Sequence, residues 1–140
     1  MKILLAVDGS KFTKKMLAYI ITHPELFGVD NDFTAFTAHT PLPPRARAAV
    51  GKDIADNYHA LECEKVLAPV AKFLVRHNIN AQSAWKVGMP GEAIAKFAED
   101  GKFELIVIGS HGHGALRGLL MGSVVSKVIA LTDIPTLIVR

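Results

Sequence analysis

Leu105-Ile106-Val107-Ile108 runs without a polar interruption straight into Gly109. Four β-branched or branched apolar residues in succession suit a strand covered on both faces, because a half-exposed strand would alternate. The glycines Gly109, Gly112, Gly114, Gly118 and Gly122 then lead to Ser123 and the helical pattern Val124, Val125, Val128, Ile129. A buried strand feeding a glycine-dense loop and a helix N-terminus leaves few architectures open. It is also a common way to build an anion cradle, since glycines let backbone N–H groups approach and the helix end is partly positive.

The rest of the chain repeats the same alternation. Lys2 to Val7 is nearly all apolar and predicts a central parallel strand. Ser10 or Asp8 caps the helix after it, whose apolar face is Met16, Leu17, Ile20 and Ile21, ended by His23-Pro24. Asp32 to Thr40 reads as the second strand. Residues 41–52, rich in proline at the start, read as a mobile connection without regular structure. Asp53 to His77 reads as a long helix with Tyr58, Leu61, Leu67, Ala68, Ala71 and Leu74 at helical spacing and a kink or local break near Lys65 to Pro69. Asn80 to Val87 is the third strand, and Ala93 to Ala98 the buried face of the next helix. Phe103 to Ile108 is the fourth strand, Ser123 to Leu131 a helix, and Pro135 to Val139 the last strand. Strands alternating with helices predict an α/β fold with a parallel sheet and helices on both faces, one domain spanning residues 1–140.

Composition narrows function. The net charge is +3, no run of five Lys or Arg occurs, and aromatics do not interleave with basic residues. No nucleic-acid partner is expected. No apolar run reaches membrane-span length, and the first is too short for a signal-peptide core. The single cysteine, Cys63, lies between Glu62 and Glu64, which raise a thiol's pKa rather than activate it. A cytoplasmic protein without membrane contact is expected.

Asp8 sits at the carboxyl end of the first strand, where open α/β sheets bind ligands, although a turn or capping role fits the same position. His111, His113 and Arg117 offer donors in the glycine loop. His111 and His113 as a zinc pair lack acidic or cysteine partners nearby. His39 reads as a strand-end packing residue. Neither G-x-x-x-x-G-K-[ST] nor a dinucleotide G-x-G-x-x-G after the first strand is present.

The pattern Gly109-x2-Gly112-x9-Gly122-Ser123 resembles the signature of the ATP-binding branch of the universal stress protein family. The opening Lys2-to-Ser10 segment, Gly88-Met89-Pro90-Gly91-Glu92 and the closing residues from Gly122 to Val139 resemble that family too. The resemblance implies a five-stranded parallel sheet of order 3-2-1-4-5, which is Rossmann-like. It implies a nucleotide site of Ala6, Val7, Asp8, Thr40, Gly109, His111, Gly112, His113, Gly122, Ser123 and Val124. Asp8 would meet the adenine or ribose side, and Thr40, where the family often has valine, the base. The loop glycines and Ser123 would hold ribose and phosphates. The implied ligand is ATP, or AMP or ADP, with magnesium or manganese carried on the phosphates. No catalytic residue and no protein ligand to a metal is assigned. A regulatory stress-response module is expected, with a slow ATPase or phosphotransferase as the alternative. A bare apolar last strand is an aggregation hazard, so a homodimer through Thr136, Leu137, Ile138 and Val139 is expected.

Overall fold

In the computed structural model, residues 1–114, 118 and 120–140 are described. The elements are β1 (Lys2–Ala6), α1 (Lys11–Thr22), β2 (Asp32–His39), α2 (Pro44–Val50) and α3 (Lys52–Arg76). Then come β3 (Ala81–Val87), α4 (Pro90–Asp100), β4 (Leu105–Gly109), α5 (Ser123–Leu131) and β5 (Thr136–Val139). The strands form one five-stranded sheet of order β3-β2-β1-β4-β5, and every neighbouring pair is parallel.

The alternation of side chains along a strand sorts the core into two layers. Ile3, Leu5 and Val7 point to one face, with Phe33, Ala35 and Val107, under Met16, Leu17 and Ile20 of α1 and Leu67, Val70 and Leu74 of α3. Leu4 and Ala6 point to the other, with Phe36, Ile106 and Ile108, under Ile94 and Ala98 of α4 and Val125 and Val128 of α5. Each fully buried Leu, Ile or Phe contributes roughly 1.5–3 kcal/mol of apolar transfer. Helices on both faces are what make the unbroken apolar runs of β1 and β4 stable in water.

Local chemistry sets the turn after β1. Ser10 caps α1, its side chain accepting from the N–H groups of Phe12 and Thr13. Asp8 holds the turn instead: its Oδ1 accepts from the Ser10 N–H at 2.8 Å and from the Thr13 hydroxyl at 2.9 Å. The Asp8 N–H donates back to Thr13 Oγ1 at 3.0 Å.

Three expectations change. Residues 41–52 contain α2, because Pro44 stands in its first turn, where a missing N–H costs nothing, and Gly51 at φ +84° ends it. Next, α3 runs through Pro69 without a local break. Both Pro69 and Lys65, whose carbonyl loses its donor, are exposed residues, while Leu67, Val70 and Leu74 keep the helix on the sheet. Finally, the inward stripe of α3 is Ala55, His59, Cys63, Leu67, Val70 and Leu74, whereas Tyr58 and Leu61 are 42% and 55% exposed. His59 and Cys63 complete the helical spacing that the aliphatic residues alone left ambiguous. The same shift leaves Ile129 of α5 at 45% exposure, with Val125 and Val128 taking the core positions.

Candidate functional site

β1 and β4 are neighbours, with Ala6 beside Ile108. From their carboxyl ends the chain leaves for opposite faces, to α1 from β1 and to α5 from β4. The divergence opens a crevice at the topological switch point of the sheet. A cleft of about 690 Å³ lies there. Ala6, Val7, Asp8, Thr40, Gly109, His111, Gly112, His113, Gly122, Ser123 and Val124 all line it. Arg117 lies outside the described residues.

The motif glycines are required by space rather than by backbone handedness. A Cβ on Gly109 would fall 2.7 Å from Phe12 Cβ and 3.1 Å from the Phe12 carbonyl. One on Gly112 would fall 2.5 Å from Asp8 Oδ2, and one on Gly122 would lie 3.2 Å from His111 Cα and from the Ser110 oxygen. The left-handed positions are the other loop glycines, Gly114 at φ +74° and Gly118 at φ +86°.

Backbone and side-chain bonds fix the near part of the loop. The Ser110 N–H donates to the Val139 carbonyl and the Gly122 N–H to the Ser110 carbonyl, both at 2.7 Å. His113 Nε2–H donates to the Asp8 carbonyl at 2.8 Å, tying the loop across to the end of β1. His111 packs its ring 5.1 Å from that of Phe12, and its Nδ1 lies 2.9 Å from Ser110 Oγ. Ser110 is buried, and among the described residues its hydroxyl has no acceptor other than His111 Nδ1. One of the two donates to the other, and the ring's second nitrogen is Nε2. That Nε2 is buried and has no partner among the described residues. The two loop histidines thus serve separate partners rather than converging on one ion. Among the described residues, no group of three His, Cys, Asp or Glu is arranged to hold a metal.

Ser123 is not a cap. Gly122 occupies the N-cap position and α5 has no side-chain cap. The first-turn N–H groups of Ser123, Val124 and Val125 find no partner among the described residues, and all three residues line the cleft.

The far end of the cleft was not legible in the sequence. It is built by Thr37 and His39 of β2, by Glu62, Cys63 and Val66 of α3, and by Pro90 and Ile94 of α4. His39 and Thr37 alternate on one strand face, and Glu62, Cys63 and Val66 share a helical turn. Which turn meets which strand end is a tertiary matter. Burial, and then the neighbouring His59, hold His39 below the ordinary histidine pKa, with Glu62 opposing them. The Cys63 thiol is pushed up by burial first and by Glu62 second, so it is a poor nucleophile.

Comparison with known proteins places this geometry. A model of the universal stress protein family matches residues 1–140. A universal stress protein of Thermus aquaticus is 30% identical over 139 residues, covering 99% of this chain and 97% of its own. The Slr1230 universal stress protein of Synechocystis is 29% identical over 139 residues, but this chain spans only 42% of its length. The solved structure of MJ0577 superimposes with a TM-score of 0.81 at 26% identity, covering 99% of this chain and 94% of that one. MJ0577 is a universal stress protein of Methanocaldococcus jannaschii. An Archaeoglobus fulgidus universal stress protein in complex with dAMP shares the fold at TM-score 0.67 and 22% identity, covering 100% and 98% of the two chains. An Arabidopsis thaliana family member with AMP bound shares it at TM-score 0.69 and 14% identity, covering 99% and 90%.

Proposed function

The chain belongs to the universal stress protein family, and on that premise we propose that its cleft binds an adenine nucleotide as a regulatory signal. One observation carries the reading: His111, the uncapped N-terminus of α5 and the Asp8 carboxylate line one cleft. The N–H groups suit phosphate oxygens. A carboxylate only accepts, so Asp8 meets ribose hydroxyls or the base's amino group and repels phosphate. The charges therefore orient the nucleotide, phosphates toward Ser123 and base toward Thr40. The nucleotides held by fold relatives, dAMP and AMP, agree with this choice. ATP is the intended ligand, and a magnesium or manganese ion would ride on its phosphates, since the described residues offer it no cluster of their own. Calorimetric titration with ATP and magnesium, and with AMP, is expected to give saturable binding tighter than about 1 mM, or about −4 kcal/mol. No heat and no competition at that concentration would sink the proposal.

The same reading includes a homodimer. The edge strand β5 leaves Thr136 to Val139 only half-buried, and an uncovered edge invites pairing with a second copy. Sedimentation is expected to give a dimer that Ile138→Lys reduces to monomer, with thermal unfolding followed on the same sample. A folded, still dimeric variant would rule out pairing through β5. A cytoplasmic location fits the single buried thiol, and no helix among the described residues is long and apolar enough to cross a membrane.

A further inference from the structure

At the end of the cleft away from the glycine loop, two histidines face each other. His39, the last residue of β2, and His59, on the inward stripe of α3, bring their Nδ1 atoms to 2.6 Å. The rings are 4.8 Å apart and inclined at 68°. His39 lines the cleft, while His59 stands behind it at 5% exposure. Tyr58 closes the outer side, edge-on to His39 at 5.4 Å.

A contact this short holds one hydrogen. One ring donates its Nδ1–H, and the other accepts with its lone pair. A first added proton enters at Nε2 of the donor ring, leaving the bridge intact and strengthening it by charge. A second added proton requires N–H on both facing nitrogens, and two hydrogens cannot share that gap. The rings must then part.

The surrounding charges decide where His39 goes. On α3 the pair faces Glu62, and Asp56 lies within the field of His59. Lys65 holds Glu62, Lys52 holds Asp56, and Arg47 of α2 also acts on Asp56. On the sheet, the register partner of His39 is Val87, which does not ionise. Asp8, His111 and His113 line the same cleft from β1 and the loop after β4. Glu62 is therefore the anion on the pair's own side, and it too lines the cleft.

We propose that the His39–His59 pair is a proton gate on nucleotide binding. With the bridge closed, His39 forms the wall at the base end. With the second proton, His39 leaves His59 for Glu62 and narrows that end. The proposal rests on the nucleotide reading above. Burial and the charge of His59 resist protonation of His39 in the same sense. Because its folded pKa is depressed, this group's stability contribution is complete above the ordinary histidine value of about 6.5. It is lost as pH falls from there toward the lowered folded value.

The test uses the full chain, with AMP as the probe, titrated calorimetrically from pH 8 to pH 5 in the native protein and in His59→Asn. The Asn amide oxygen accepts from a protonated His39, so the two-hydrogen conflict disappears. Below the second protonation step, native affinity is expected to fall about tenfold per pH unit relative to the variant, one proton being excluded by binding. Titration of the AMP phosphate is common to both and cancels. Nitrogen-15 spectra of the native rings are expected to show two coupled steps rather than two independent ones. His39→Gln, at the half-buried partner, is expected to flatten the profile in the same way. Equal slopes in all three proteins, or independent ring titrations, overturn the gate and leave the nucleotide reading standing. Failure of AMP to bind any of them at any pH overturns both.

Discussion

Gly112→Val is expected to weaken nucleotide binding roughly 30-fold while leaving the unfolding temperature within a few degrees of native. The new Cβ would lie 2.5 Å from Asp8 Oδ2. The carboxylate cannot simply turn away, because its Oδ1 is engaged by the Ser10 N–H and the Thr13 hydroxyl. Either the loop lifts from the end of β1, breaking the His113 bond to the Asp8 carbonyl, or Asp8 leaves its position. Each route loses at least one charge-assisted contact to the ligand, about 2 kcal/mol or roughly 30-fold in affinity. The fold is spared because Gly112 belongs to the loop and not to either core layer. Calorimetry with AMP beside a thermal melt checks both halves. Native affinity in this variant would mean that the face of Asp8 toward the loop is no part of the site.

Gly109→Val is expected to do the opposite and attack the fold. Its Cβ would meet Phe12 Cβ at 2.7 Å and the Phe12 carbonyl carbon and oxygen at 3.1 Å. Those are atoms of the first turn of α1, pinned by the Ser10 cap and by the buried Phe12 and Thr13. Backbone cannot rotate out of the way as a side chain can. Overpacking of this kind costs about 3 kcal/mol, which for a chain of this size lowers the melting temperature by about 10 °C. Denaturant titration is expected to show a lower midpoint at unchanged slope. A midpoint equal to native would show that α1 and β4 have slack between them. The two glycines belong to one motif, yet one protects the site and the other lets a helix and a strand approach.

Much of this was legible beforehand for a physical reason. A strand buried on both faces must be continuously apolar, so β1 and β4 announce themselves as Lys2-to-Val7 and Phe103-to-Ile108 and are found at Lys2–Ala6 and Leu105–Gly109. α5 begins and ends where the pattern says, because Gly122 precedes it and Asp133 and Pro135 follow it. The long helix was harder. Its pattern is weakly amphipathic, and Tyr58 and Leu61 fit the helical spacing although His59 and Cys63 are the buried members of the stripe. α2 was hidden by its prolines, which break a helix in its interior but start one at its first turn.

Local sequence also carries the near side of the cleft. Asp8, Gly109, Gly112 and Gly122 are strand-end and loop residues whose roles follow from small size, charge and chain order. What the sequence determined by itself is therefore the alternating architecture and the glycine loop after β4, because both depend on residues close together in the chain. Only the tertiary structure decided that α3 lays His59 against His39 and sets Glu62 and Cys63 into the far wall. That contact joins positions twenty residues apart through a helix rotation fixed by packing on the sheet, and no local propensity encodes such a rotation.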